Sequence, residues 1–164
     1  MIKLLILDVD GCMTDGSIIY TEKGDEIKAF NVKDGLAIAT WHKLGRLSAI
    51  ITGRESGIVA RRARELGIKH YYQGVQNKKA VLEKILDKEM LTFDNVAAIG
   101  DDINDFQMLK AAKRSFTPAD AIPMVRDSVQ TVLSRKGGDA CVREMIDILV
   151  EEENLHEDFI AQWF

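Results

Sequence analysis

At 164 residues, with hydrophobic residues at 46% and charged residues at 29%, the chain has the size and balance of one compact domain, which excludes a disordered tail or a fibre. Its 26 acidic against 22 basic residues leave a net charge of −4, so the broad basic surface that nucleic acid requires is not expected. No apolar run approaches the ~20 residues of a bilayer span, and Met1 leads into a strand-like run without a secretory pattern, so a cytoplasmic location with no membrane partner is expected.

In chain order, the first element is an apolar strand at Leu4–Val9, which runs into Asp8-Val9-Asp10-Gly11 and then Thr14-Asp15-Gly16. Residues 17–31 hold two β-rich pieces around the polar turn Glu22-Lys23-Gly24-Asp25 and read as a hairpin. A helix is expected from near Gly35. Strand Leu47–Ile51 leads into Thr52-Gly53-Arg54 and a helix from Ser56 with the apolar stripe Val59, Ala63 and Leu66. Strand His70–Tyr72 is followed by Lys78, which opens a helix striped by Val81, Leu82, Ile85 and Leu86. Strand Val96–Ile99 runs into Gly100-Asp101-Asp102-Ile103-Asn104-Asp105. Strand Arg114–Phe116, a weaker one near Gln130–Leu133 and a helix striped by Val142, Met145, Ile146 and Leu149 complete the series.

Strands alternating with helices predict an α/β fold: a three-layer α/β/α, Rossmann-like single domain over residues 1–164 with a mostly parallel sheet. The hairpin after the first strand is the only sizeable insertion, which leaves no room for a cap domain. Cys12 and Cys141 have no metal-ligand spacing and read as free thiols. His42, His70 and His156 likewise lack ligand spacing, and Trp41, Phe106 and Trp163 read as core or subunit-contact aromatics.

Ligands of open parallel sheets bind at the carboxyl ends of strands, and that is where the chemistry-bearing residues fall. Asp8 and Asp10, two apart at a strand end, point to one side, and Gly11 permits a sharp turn. If the strands before Asp8 and Asp101 are neighbours, the Asp8 and Asp101 carboxylates and the Asp10 carbonyl make an all-oxygen site suited to Mg²⁺. Read alone, the acidic cluster at 101–105 serves equally as a helix N-cap. Thr52 and the amides after it suit a phosphate at a helix N-terminus.

The succession Asp8-Val9-Asp10-Gly11, Thr52, Lys78 and Gly100-Asp101-Asp102 resembles the four motifs of the haloacid dehalogenase superfamily of phosphotransferases. The resemblance implies a Mg²⁺-dependent phosphoric monoester hydrolase with Asp8 as nucleophile, Asp10 as general acid and base, and Thr52, Gly53 and Lys78 neutralising the phosphoryl group. It implies Asp8, Asp10 and Asp101 as metal ligands, with Asp102 and Asp105 orienting the metal from behind them.

Phe30-Asn31-Val32-Lys33-Asp34-Gly35-Leu36, Gln73-Gly74 before Asn77-Lys78, and Gly137-Gly138 before Val142-Arg143-Glu144 are similar to the cap-less members acting on phosphorylated eight- and nine-carbon keto-sugar acids. Arg54 favours the octulosonate branch, which serves lipopolysaccharide precursor synthesis, over the nononate branch, where Glu is usual. The resemblance implies a homotetramer in which a neighbour covers the cleft. Arg54 and Arg62 are candidates for the substrate carboxylate, and Lys33 and Asp34 either line the cleft or cap the helix near Gly35. Cys12-Met13, in place of the usual Val-Leu, and Asp139, in place of Arg after Gly-Gly, depart from the pattern. A non-catalytic tetramerising module is the contrasting reading; such modules tend to lose the carboxylates that this chain keeps.

Overall fold

The computed structural model describes residues 1–164. Six parallel strands form one sheet: β1 (Leu4–Leu7), β4 (Leu47–Ile51), β5 (His70–Tyr72), β6 (Val96–Ile99), β7 (Arg114–Thr117) and β8 (Thr131–Val132), in the order β5-β4-β1-β6-β7-β8. β1 lies at the centre, with Leu7 in register with Ile50 on one side and Ile99 on the other. After β5 the chain crosses back over β1 to build the other half, so the strand order reverses at β1. That reversal opens a crevice at the carboxyl ends of the central strands.

Alternation along the strands divides the core. Leu5 and Leu7 of β1 face one side with Ile50, Ala97 and Ile99, and are covered by α1 (Val32–Lys43), α2 (Gly57–Glu65) and α6 (Cys141–Glu152) through Ile38, Trp41, Val59, Met145 and Ile146. Leu4 and Ile6 face the other side with Ala49, Ile51 and Ala98, and pack against Leu82 and Ile85 of α3 (Lys78–Glu89), Met108 of α4 (Phe106–Ala111) and Val125 of α5 (Pro123–Arg126). A short α7 (His156–Ala161) adds Phe159 to the first face. The three-layer α/β/α arrangement is as the sequence predicts, and no helix is long and apolar enough to cross a membrane.

The hairpin is present but short: β2 (Ile19–Tyr20) pairs antiparallel with β3 (Glu26–Ile27). Its turn is closed by Thr21, whose Oγ1 accepts from the Asp25 N–H at 3.1 Å, and Gly24 takes a φ of +88° that favours glycine. Two expected boundaries need correction. β1 ends at Leu7, so Asp8 and Asp10 lie in the turn beyond it and not on the strand. The first long helix begins at Val32, with Asn31 as cap accepting from the Lys33 N–H at 2.9 Å, so Lys33 and Asp34 occupy its first turn.

Candidate active site

The turn after β1 starts with an extended Asp8, whose N–H still donates to the Ile99 carbonyl at 3.2 Å. Asp10 follows at φ −74°, ψ 113°, and Gly11 reverses the chain at φ +93°. Gly11 is required twice over, because a Cβ there would sit 2.0 Å from Asp101 Oδ2. The two carboxylates therefore share a side through this tight turn, where the sequence argument relied on strand alternation.

Behind Asp8 lies Lys78, the first residue of α3, with its side chain wholly buried. Its Nζ donates to Asp8 Oδ1 at 2.6 Å and to Asp105 Oδ1 at 2.5 Å. Asp105 is also fully buried, and its other oxygen accepts from the N–H groups of Asp101 at 3.0 Å and Asp102 at 3.2 Å. Asp105 thus closes the loop after β6 and fixes the lysine. Gly100 leaves it room, since a Cβ there would fall 2.4 Å from the Asp105 Cγ. Asp102 itself is exposed and caps the Ile103 N–H at 2.7 Å.

Three carboxylates around one ammonium leave an excess of negative charge. Burial, then the charge of Asp105, pushes Asp8 well above the usual carboxylate range. The same two causes raise Asp101 to about 7. Burial alone would lower Lys78, but Asp8 and Asp105 outweigh it and hold the ammonium protonated. The unmet charge is what a divalent cation would neutralise. Oxygens of Asp8 and Asp101 and the Cys12 sulfur all lie within 4.8 Å of one another. Burial, reinforced by Asp8, keeps the Cys12 thiol protonated, so the effective donors are carboxylate oxygens, which fit a hard ion such as Mg²⁺.

In front of Asp8 and Asp101 opens a cavity of about 290 Å³. Asp8, Asp10, Thr52, Gly53, Arg54, Asp101 and Asp102 line it, joined by Asn104 and, from the start of the hairpin segment, Gly16 and Ile18. The ends of β1, β4 and β6 therefore converge there, and Lys78 serves the same site from beneath Asp8. Thr52 is held by its N–H to the Tyr72 carbonyl at 3.0 Å.

Three expected substrate contacts are not at this cavity. Arg62 lies under α1, where its Nη2 would touch a Cβ on Gly35 at 2.5 Å, and its guanidinium stacks 5.7 Å from the Phe30 ring. Asp34 is buried and accepts from the Arg143 N–H at 2.7 Å, capping α6 from outside because that helix has Ala140, at φ +62°, in its own cap position. Burial raises Asp34 to about 6. Lys33 is exposed and borders a separate surface trough with Arg135, Arg143 and Glu144. The expectation placed α1 a turn too late, and the true start carries Lys33 and Asp34 away from the strand ends.

Two parts of the site lie outside the expected set. Lys28, just past β3, bonds the Asp10 carboxylate and lies 3.4 Å from Glu26 Oε1, which also accepts from Arg54 Nη2 at 3.0 Å. Glu26 and Lys28 flank Ile27 at a spacing that puts both on one face, a signal present in the sequence. The Gly137-Gly138 turn grips the loop after β1: the Gly138 N–H donates to the Cys12 carbonyl at 2.9 Å, and a Cβ on Gly137 would meet the Gly11 oxygen at 2.0 Å. Two histidines are hydrogen-bonded away from the site, His42 Nε2 lying 2.7 Å from Ser48 Oγ and His70 Nε2 2.6 Å from Glu89 Oε1, and His156 is exposed.

A parallel α/β/α sheet with acidic turns after β1 and β6 and no cap defines a haloacid dehalogenase-like hydrolase, and the sequence pattern described by that name matches residues 71–145. Over 149 residues the chain is 41% identical to the 3-deoxy-D-manno-octulosonate 8-phosphate phosphatase KdsC of Escherichia coli K12, covering 91% of this chain and 79% of that one. The chain belongs to the haloacid dehalogenase-like family that contains these phosphatases. The crystal structure of the phosphatase of that name from Moraxella catarrhalis, in complex with magnesium ion, phosphate ion and KDO, superposes with a TM-score of 0.95 at 37% identity, covering 99% of this chain and 94% of that one. The cobalt-bound phosphatase from Haemophilus influenzae superposes with a TM-score of 0.88 at 38% identity, covering 92% of this chain and 88% of that one.

Proposed function

We propose that this chain is a Mg²⁺-dependent phosphatase that hydrolyses 3-deoxy-D-manno-octulosonate 8-phosphate to the free sugar acid and phosphate. The observation that carries the reading is the single cavity shared by Asp8, Asp10, Thr52, Arg54 and Asp101, with Lys78 held against Asp8. The Escherichia coli relative at 41% identity and the Moraxella catarrhalis structure at 37% are named for that reaction.

In the reaction, Asp8 attacks phosphorus in line with the sugar oxygen. The bond from Asp8 oxygen to phosphorus forms as the ester P–O bond breaks, and the Asp10 carboxyl delivers its proton to the departing sugar hydroxyl. Water then attacks the aspartyl-phosphate, giving its proton to the Asp10 carboxylate, and the phosphate leaves Asp8 as a free carboxylate. Thr52 Oγ1 and the Gly53 N–H grip the phosphoryl oxygens, while Lys78 offsets the charge that accumulates between Asp8 and the phosphate. Mg²⁺ held by Asp8, Asp101 and the Asp10 carbonyl would supply the remaining charge neutralisation. Arg54, at the cavity wall, is the cation nearest to hand for the substrate carboxylate.

A homotetramer and a cytoplasmic setting complete the proposal. Ile18, Ile19, Tyr20 and Ile27 leave an exposed apolar patch on the hairpin beside the cavity mouth, suited to a neighbouring copy that would cover it. Lys33 and Arg62 remain candidates only for a cavity completed in that way, whereas Asp34 is buried as the cap of α6. The test is phosphate release from the octulosonate 8-phosphate against the nononate 9-phosphate and simple hexose phosphates, with and without Mg²⁺. Preference for the first ester supports the proposal, and equal or greater turnover of the others opposes it.

A further inference from the structure

Lys28 has no place in the reaction as derived so far, yet its environment is unlike that of a surface lysine. Its side chain is only 1% exposed, although the hairpin that carries it stands out from the sheet layers. Removing an ammonium from water costs several kcal/mol unless a partner compensates it. Of the two carboxylates it meets, Asp10 lines the cavity, and no other side chain or backbone group bonds the Asp10 carboxylate.

We infer that Lys28 is the positioning residue for the Asp10 carboxylate, so that the hairpin carries a working part of the reaction as well as a surface for a neighbour. The inference rests on the reading of Asp10 as general acid and base. Asp10 sits in a tight turn beside Gly11 and has no helix or strand to fix its rotamer. Lys28 tethers Oδ1, which leaves Oδ2 free for the proton that moves between Asp10 and the ester or water oxygen. Glu26 extends the tether: its Oε1 meets both Lys28 and Arg54, so the proton-transfer group and a cation lining the same cavity are linked through one hairpin residue. A chain of Asp10, Lys28, Glu26 and Arg54 thereby ties the position of the acid to that of the group facing the substrate.

The test uses leaving groups. Departure of an alkoxide needs a well-placed proton, whereas p-nitrophenolate leaves without one, and kcat/KM reports the step in which the ester bond breaks. With the full chain and Mg²⁺, Lys28→Met is expected to lower kcat/KM on the sugar phosphate roughly 100-fold while lowering it on p-nitrophenyl phosphate less than about threefold. Lys28→Arg, which keeps the cation, is expected to restore most of the loss. Equal losses on both esters, or no loss on either, would overturn the inference, the first because it marks Lys28 as a mere anchor of the hairpin. If Lys28→Met fails to fold by circular dichroism, Lys28→Gln is measured in the same series and judged by the same outcomes. Asp10→Asn separates the two layers: a wild-type enzyme whose Asp10→Asn variant shows no leaving-group dependence overturns the role of Asp10 itself, independently of Lys28.

Discussion

Replacing Asp105 with Asn perturbs the site at its most buried point while preserving its shape. Asp105 accepts from Lys78, from the Asp101 N–H and from the Asp102 N–H, three donors that a carboxylate satisfies and an amide does not. Whichever way the Asn side chain turns, its NH₂ group faces a donor. Leaving a buried charge with one partner removed costs about 3–5 kcal/mol. An opposing effect exists, because Asp105 adds to the repulsion that raises Asp8 and Asp101. That relief is only partial, since burial, the first cause of both shifts, is unchanged. In a chain of this length about 3 kcal/mol or more lowers the melting temperature by roughly 10 °C. Differential scanning calorimetry of the metal-free protein reads the stability, and turnover with Mg²⁺ is expected to fall at least tenfold as Lys78 loses its fixed geometry. An Asp105→Asn protein melting within about 2 °C of wild type and keeping full turnover would refute the argument.

Asp34, raised to about 6 from 3.8 by burial, binds its proton more tightly in the folded state, so its contribution to stability is fully present below pH 3.8 and is lost as pH rises through about 6. The span corresponds to about 3 kcal/mol, and the melting temperature of Asp34→Asn relative to wild type is expected to climb between pH 4 and pH 6.5, where a flat difference would contradict the burial of that carboxyl. Gly137→Ala would bring a Cβ to 2.0 Å from the Gly11 oxygen and displace the loop that bears Asp10, so a stability loss of about 1–3 kcal/mol together with lost turnover is expected from denaturant and activity titrations. Mg²⁺ at 100 times its dissociation constant is expected to stabilise the folded protein by about 2.7 kcal/mol, with the effect absent in Asp101→Asn.

β1, β4 and β6 and their carboxyl ends were readable because each is a short apolar run ending abruptly in polar, glycine-bearing sequence, as at Leu7-Asp8 and Ile99-Gly100. Parallel topology then sends Asp8, Thr52 and Asp101 to one edge whatever the details of the loops. Lys78 followed for the same reason, being the first residue of the helix after β5. What resisted was everything set by loop geometry. The start of α1 depends on Asn31 capping the Lys33 N–H, and a shift of three residues turned Lys33 and Asp34 from the cleft toward α6. Lys28 was missed because its partner, Asp10, is 18 residues away across a hairpin whose fold-back angle no local pattern encodes. Arg62 was misdirected because helical spacing gives a face but not which neighbour that face meets, here Gly35 and Phe30.

The most direct measurement of the central claim is acid-quench trapping of the protein during turnover of ³²P-labelled ester, followed by peptide mapping. The label is expected on the peptide containing Asp8 and to vanish in Asp8→Asn along with turnover. Label on another residue, or an Asp8→Asn protein that hydrolyses the ester at the wild-type rate, would contradict the account.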